Sequence, residues 1–338
     1  MLNIVSLTAN RKKVTWPGKV VKNLMKWLDI LRYPYVLNRD LNATKRLWIH
    51  DDFFALKRLS TLYDSTSLIV GPNLYALPRA IPEDIHLEKY PHIMPSEWVC
   101  DFWKHFGYHG ILDSWAVWVD TDIFLPSHEA KKKVLIYFKQ RREEDLRSVI
   151  DVLTRLTIEY EVIRYGSYTE SYFQEILRTS KYVIWIGCPE SQGIAFAEVL
   201  STDTPMLVWD THSLMQSGIT LGFTPEEVAY DQCTSAPYFD DICGIRIYDE
   251  RGLASTIEHM EWVYTSFSPR VYVEKNFSLA WQAKKFLELY ETHYGLSLSQ
   301  WYEDILSNEK NFRNNFLIEK LFDVYDSSLV SRIRKAIL

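Results

Sequence analysis

In the second half of the chain, short apolar runs rich in Val, Ile and Tyr alternate with longer segments whose apolar residues recur every three or four positions. Residues 134–138 read as a strand, and 143–156 as an amphipathic helix with Leu146, Val149, Ile150 and Leu153 on one face. Residues 160–164 then read as a strand, 169–179 as a helix, 182–186 as a strand, 193–201 as a helix and 206–209 as a strand. Strands apolar on both faces and joined by crossover helices predict a parallel sheet covered on two sides, which is a doubly wound, nucleotide-binding type of domain.

The first half shows the same rhythm less regularly. Residues 3–7, 46–49, 67–70 and 115–119 read as strands, and 19–31 and 98–106 as helices. The polar, poorly periodic stretch 122–133, with Pro126, Ser127 and His128, reads as a linker. The expected architecture is therefore α/β, with two doubly wound Rossmann-like domains facing across a cleft. The expected divisions are 1–126, 127–295 and a helical terminus over 296–338.

A length of 338 residues and a hydrophobic share of 47% suffice for two cores and exclude a disordered chain. The net charge of -6 gives no global attraction to a phosphate backbone, so nucleic acid is not an expected partner. Cys100, Cys188, Cys233 and Cys243 are scattered without C-x-x-C spacing, which argues against a disulfide framework or structural zinc and for a reducing setting. No apolar run reaches the length of a spanning helix, and residues 1–10 are too polar for a signal peptide. A soluble, unprocessed, cytoplasmic protein is expected.

Ligands of open α/β sheets collect outside the carboxyl ends of the strands. Beyond strand 182–186 comes a loop running from Gly187 through Cys188, Pro189, Glu190, Ser191 and Gln192 to Gly193, where a helix begins; seven residues separate Glu190 from Glu198. A helix start offers unpartnered backbone N–H groups and a positive dipole end, so a diphosphate can sit near Gly193 and Ile194. The plain alternative is that Glu190 only complements the helix dipole and Glu198 is an ordinary helical residue. The Glu, seven residues, Glu pattern resembles that of the retaining GT-B glycosyltransferases, glycosyl transferases group 1.

That resemblance implies that Glu198 accepts hydrogen bonds from the donor ribose while Glu190 reaches the donor sugar. It implies further donor contacts from Ser191, Gln192, Gly193 and Ile194. Lys139, Arg141 and Arg142 stand where the family grips the pyrophosphate, with Lys139 and Arg142 as the expected catalytic cations; a solvated charge cluster at a helix start is the alternative. Val117 to Pro126 is similar to the family's interdomain junction, with valine in place of its glycine. Asp203 replaces a glycine in the turn after the second glutamate, which aspartate also tolerates. The glycine-rich loop after the first strand is reduced to Pro17-Gly18, leaving Gly18 as its donor contact. By position, Tyr165, Gly166 and Ser167 face the nucleobase.

In the first domain, His50, Asp51 and Asp52 close one strand and Gly71, Pro72 and Asn73 another. His50 is the candidate for a donor or acceptor contact, against the plainer reading of a local hydrogen-bonding residue. Residues 19–32 put Lys19, Lys22, Lys26 and Arg32 beside Val20, Val21, Leu24, Trp27, Leu28 and Leu31, with Arg11, Lys12 and Lys13 nearby. This basic stretch is read either as a first helix packed on its own sheet or as a peripheral membrane contact for a glycolipid acceptor.

The resemblance implies a metal-independent transferase, with no cofactor, that moves a sugar from a nucleoside-diphosphate sugar to a glycan or glycolipid hydroxyl with retention. The leaving diphosphate helps remove the acceptor proton. Two rivals stay open. Asp120 and Asp122 end an apolar run as Asp-x-Asp, the look of a metal-dependent GT-A transferase. The third reading is a non-catalytic sugar-nucleotide or glycan binding protein.

Overall fold

The computed structural model describes residues 1–11, 16–30, 33–116, 119–217 and 222–296. One sheet takes β1 (Leu2–Val5), β2 (Tyr35–Leu37), β3 (Arg46–Ile49), β4 (Ser67–Val70), β5 (His92–Met94) and β6 (Leu112–Ser114) in the order β2-β1-β3-β4-β5-β6. Its intervening helices are α1 (Trp16–Ile30), α2 (Phe53–Leu56) and α3 (Glu97–His105). The second sheet takes β7 (Lys133–Lys139), β8 (Tyr160–Arg164), β9 (Ser180–Gly187), β10 (Met206–Trp209) and β11 (Gly244–Ile247) in the order β11-β10-β9-β7-β8. Helices α4 (Glu143–Arg155), α5 (Glu170–Thr179), α6 (Ile194–Ser201) and α7 (Pro225–Val228) lie between its strands, and α8 (Leu253–Val263), α9 (Pro269–Asn276) and α10 (Leu279–Tyr294) follow. Every pairing within the second sheet is parallel. The fold is the expected α/β arrangement of two parallel sheets.

The period of two along β7 explains why the second sheet is covered on both faces. Val134, Ile136 and Phe138 pack with Leu146, Val149 and Leu153 of α4 and with Leu253, Ile257 and Met260 of α8. On the opposite face, Tyr137 stacks on Trp185 with ring centroids 4.1 Å apart, and Phe196 of α6 meets Trp185 edge-on at 5.2 Å. Truncating a fully buried ring such as Trp185 costs about 3–5 kcal/mol, so this layer contributes substantially to holding β7, β9 and α6 together.

Strand order decides where a ligand can enter. From β7 the chain steps to β8 on one side and then returns to β9 on the other, which leaves a crevice at the carboxyl ends of β7 and β9. Lys139 and Gly187 are register partners at that point. The first sheet repeats the order, with its own reversal between β1 and β3.

By contact density the chain forms two compact units, Met1–Ile69 with the part of α10 from Ala280 onward, and Val70–Leu279; the division runs through β4. The two sheets change over between Ser114 and Lys133, and residues 297–338, expected as terminal helices, lie outside the described residues. The strand expected over 115–119 is displaced. The sheet instead takes Leu112–Ser114, and Val119 makes an isolated parallel bridge with Ser278. Val117 and Trp118 of the junction segment lie outside the described residues, as do Lys12, Lys13, Leu31 and Arg32.

In α1, Val20, Val21, Leu24 and Leu28 are buried, while Lys19, Lys22 and Lys26 stay partly exposed. Four residues of the apolar stripe are thus packed inward, as a first helix packed on its own sheet requires, and Trp27 is half-buried. Among the described residues no helix is long and apolar enough to cross a membrane.

Candidate functional site

The site is built at the reversal point of the second sheet. Gly187 ends β9 where a Cβ would come within 2.6 Å of the Trp185 ring nitrogen, so only glycine lets the backbone pass the indole. Cys188 then donates its N–H to the Lys139 carbonyl at 2.9 Å, which keeps the two strand ends together for one more step. The chain turns through Pro189, Glu190, Ser191 and Gln192 to Gly193, the N-cap of α6, which sits in the left-handed region at φ 69°. A Cβ there would lie 3.3 Å from Cβ of Phe196 and 3.5 Å from Cγ of Glu190. Glycine is thus favoured both by backbone conformation and by the close approach of Phe196, while Glu190 lies at ordinary contact distance. Gly193 has no side chain with which to cap the helix, and the first-turn amides are the groups such a cap would have taken.

Lys139 and Glu190 form an ion pair across the crevice, both side chains largely buried. The Lys139 ammonium also stands 4.3 Å over the Tyr165 ring. Burial alone would lower the Lys139 pKa, but attraction to Glu190 and the hydrogen bond to it outweigh that, and the net direction is upward. Lys139 is therefore a fixed cation at neutral pH.

The Glu190 backbone is held from both sides. Its N–H donates to the Thr234 carbonyl at 2.8 Å, and its carbonyl accepts from Nε1 of Trp98 at 2.9 Å. Thr234 is itself fixed by Asp210, fully buried just after β10. Asp210 accepts from the Thr234 hydroxyl at 2.6 Å and from the Ser235 amide and hydroxyl at 2.6 and 2.8 Å, and it pairs with Arg246 at 3.2 Å. A buried carboxylate with this many donors and a cation meets the condition under which burial of charge is tolerated.

Glu198 lies in the second turn of α6 and is buried. Burial raises the nearby Tyr168 phenol, and the Glu198 charge adds to that rise against an opposing hydrogen bond with Tyr137. Ser191 is half-buried, Gln192 and Ile194 are buried, and the Gln192 side-chain oxygen has no hydrogen-bond partner among the described residues. Gly166 and Ser167 are exposed in the turn after β8, where Gly166 takes φ 81°.

At the other end of α6, Arg270 of α9 donates to the carbonyls of Ser201 at 2.8 Å, Phe124 at 3.1 Å and Thr121 at 3.2 Å. Its backbone N–H donates to Asp203, which takes φ 58° in the turn where the resembling family has glycine.

The other expected residues have the following surroundings. Arg142 is exposed at the N-cap of α4, while its neighbour Arg141 is buried and donates to the carbonyls of Gly187 at 3.3 Å and Trp209 at 3.2 Å and to Asp145 at 2.9 Å. Arg141 thus ties the ends of β9 and β10. His50 is fully buried, bonded through Nε2 to the Pro17 carbonyl at 3.0 Å and packed on Trp48. Gly18 is buried in the first turn of α1. Asp120 is buried and accepts the Asp122 N–H at 3.2 Å, while Asp122 is exposed, so the two carboxylates do not share an environment. Among the described residues no group of three His, Cys, Asp or Glu side chains could hold a metal ion.

Sequence reasoning missed Trp98, Tyr168, Asp210, Thr234 and Ser235. Asp210 follows an apolar strand, the same signal that picked out Lys139 and Glu190. Trp98 and Thr234 reach Glu190 from 92 and 44 positions away and carry no local signal.

No family model matches the chain, and no curated protein matches it. Solved structures do. Sucrose-phosphate synthase from Thermosynechococcus elongatus is 10% identical over 88% of this chain and 99% of its own, with a TM-score of 0.55. TarM is 13% identical over 79% of this chain and 57% of its own, with a TM-score of 0.52. A mutant of S. aureus TarM in complex with fondaparinux, alpha-GlcNAc-glycerol and UDP is 14% identical over 79% of this chain and 58% of its own, with a TM-score of 0.50. At these identities the likeness is one of fold, and that fold is GT-B.

Proposed function

We propose that the chain is a glycosyltransferase of hexosyltransferase type that moves a sugar from a nucleoside-diphosphate sugar to an acceptor hydroxyl with retention, in glycan synthesis. The observation that carries this reading is the Lys139–Glu190 pair at the β7/β9 crevice, beside the uncapped start of α6. The donor diphosphate takes the first-turn amides of α6 and the Lys139 ammonium, which together replace the water and counterions it leaves behind. Glu190 is then released from Lys139 to bond the donor sugar, and Glu198 receives the ribose hydroxyls. The UDP in the TarM complex supports a nucleoside diphosphate as the common element. The two-sheet GT-B fold does not favour the metal-dependent alternative through Asp120 and Asp122.

In the reaction the bond between the anomeric carbon and the diphosphate oxygen breaks, with its electron pair going to the diphosphate. The acceptor oxygen bonds to the anomeric carbon from the same face, and its proton passes to the departing diphosphate oxygen. No protein nucleophile is consumed. Lys139, held protonated, meets the negative charge that grows on the leaving group.

The test is a thermal-shift panel of UDP-glucose, UDP-N-acetylglucosamine, GDP-mannose and ADP-glucose, with and without EDTA. A true donor at about a hundred times its Kd stabilises the protein by about 2.7 kcal/mol. The expected outcome is a shift with at least one donor that EDTA leaves unchanged, and transfer whose product keeps the donor's anomeric configuration by NMR. A flat panel overturns the reading; inversion overturns its stereochemistry.

A further inference from the structure

We propose that Trp98 is a positioning residue for Glu190, acting through its indole N–H on the Glu190 carbonyl; the proposal rests on the transfer reaction described above. Glu190 sits between two pinned peptide groups. Thr234 takes its N–H at 2.8 Å and Trp98 donates to its carbonyl at 2.9 Å. With both peptide planes fixed, the carboxylate moves only about its side-chain torsions. A displacement of about 1 Å at a reacting centre can cost on the order of a hundredfold in rate, so this restriction has catalytic weight.

The indole is itself firmly mounted. Trp98 belongs to α3, whose Val99, Cys100, Phe102 and Trp103 are buried in one apolar cluster with Leu214, Tyr230 and Cys233. The Trp98 ring meets Phe102 edge-on at 6.4 Å, and Phe102 meets Tyr230 edge-on at 5.1 Å. Two further ties join the same parts of the chain. The Tyr238 hydroxyl donates to the Pro95 carbonyl just before α3, and Arg79 pairs with the buried Glu227 at 2.8 Å. Only the Trp98 tie ends on Glu190. The helix that follows β5 of the first sheet therefore sets the backbone of an acidic residue in the loop after β9 of the second.

The experiment compares Trp98→Phe, Glu190→Gln and the double variant, using whichever of UDP-glucose, UDP-N-acetylglucosamine, GDP-mannose and ADP-glucose the wild type turns over fastest. Phenylalanine keeps an aromatic ring against Phe102 and removes the donor. The expected result is a kcat about tenfold lower, the factor lost with one hydrogen bond of ordinary strength, with donor KM within about twofold. In the Glu190→Gln background the same change has no further effect beyond about twofold, because both act through one group. A merely structural role moves KM and kcat together or multiplies through the double variant, and either result overturns the proposal. So does wild-type kcat in Trp98→Phe. Wild-type turnover in Glu190→Gln instead sinks the assigned role of Glu190 in transfer, a separate failure.

Should Trp98→Phe not fold, hydrogen exchange of the Trp98 indole N–H is read in 15N-tryptophan-labelled wild type. Protection that rises at least tenfold with the same nucleotide sugar supports the proposal. Exchange as fast as that of an open indole overturns it.

Discussion

The two sheets reverse direction in the same way, between β1 and β3 in one and between β7 and β9 in the other, yet their crevices hold opposite kinds of chemistry. At the first, Asp51 after β3 accepts from the Leu7 amide at 2.8 Å and the Thr8 hydroxyl at 2.5 Å, while Ser6 accepts from the amides of Thr8 and Ala9 at 3.2 and 3.1 Å. That loop is closed by its own hydrogen bonds. At the second, a lysine and a glutamate face each other beside a helix start whose N-cap residue, Gly193, has no side chain to cap it. Topology provides a place for a ligand in both; the residues after the strands decide whether the place is filled from within or kept for a guest.

The largest expected break in this contrast comes from Lys139→Met. Losing a cation at the leaving group should lower kcat by about 10²–10³, as measured by initial rates with the donor that shifts the protein most. The counterpart, Asp51→Ala, should act on folding. Two hydrogen bonds to a buried carboxylate disappear, so chemical denaturation should show a loss of about 3 kcal/mol, with turnover per folded molecule within about twofold.

The contrast extends to pH. His92 of β5 is fully buried and burial pushes its pKa down to about 3, from an ordinary value of 6.5. The unfolded chain takes up a proton first, so the stabilisation is complete above pH 6.5 and is lost as pH falls toward 3, by about 2 kcal/mol at pH 5. Urea midpoints against pH should show this acid limb, and His92→Leu should remove it. Lys139 moves the other way. Its pKa is raised, so its pair with Glu190 contributes fully below the ordinary lysine value and is lost only as pH rises through the higher folded one.

Smaller effects sharpen the contrast within the second crevice. Gly193→Ala should cost about 1 kcal/mol for the left-handed backbone, read by thermal denaturation, and should weaken donor binding several-fold in titrations. Arg142→Ala, at an exposed position, should change turnover by no more than about twofold.

The doubly wound pattern of the second sheet was legible because its central strands β7, β9 and β10 are buried on both faces and the helices between its strands have clear period. β2, β5 and β11 escaped notice at three or four residues each, too short for periodicity to speak. The run from Trp115 looked like a strand because it is apolar. The sheet edge instead uses Leu112, Asp113 and Ser114, whose mixed polarity suits a half-buried strand. At the site, Lys139 and Glu190 could be picked out because each follows a strand. The choice of Arg142 over Arg141 depended on which of two adjacent side chains turns inward, and local pattern does not decide that. His50 likewise followed a strand, but only the structure places it against Pro17.

The environment of α6 has an electrical consequence. Aligned peptide groups give a helix a partial positive pole at its start and a partial negative pole at its end. Here the guanidinium of Arg270 covers the far pole at Ser201, while at the near pole the N-cap residue Gly193 has no side chain to offer. Such a segment resembles a battery with one terminal insulated: its field has a single outlet, and only an anion arriving from outside can complete the circuit.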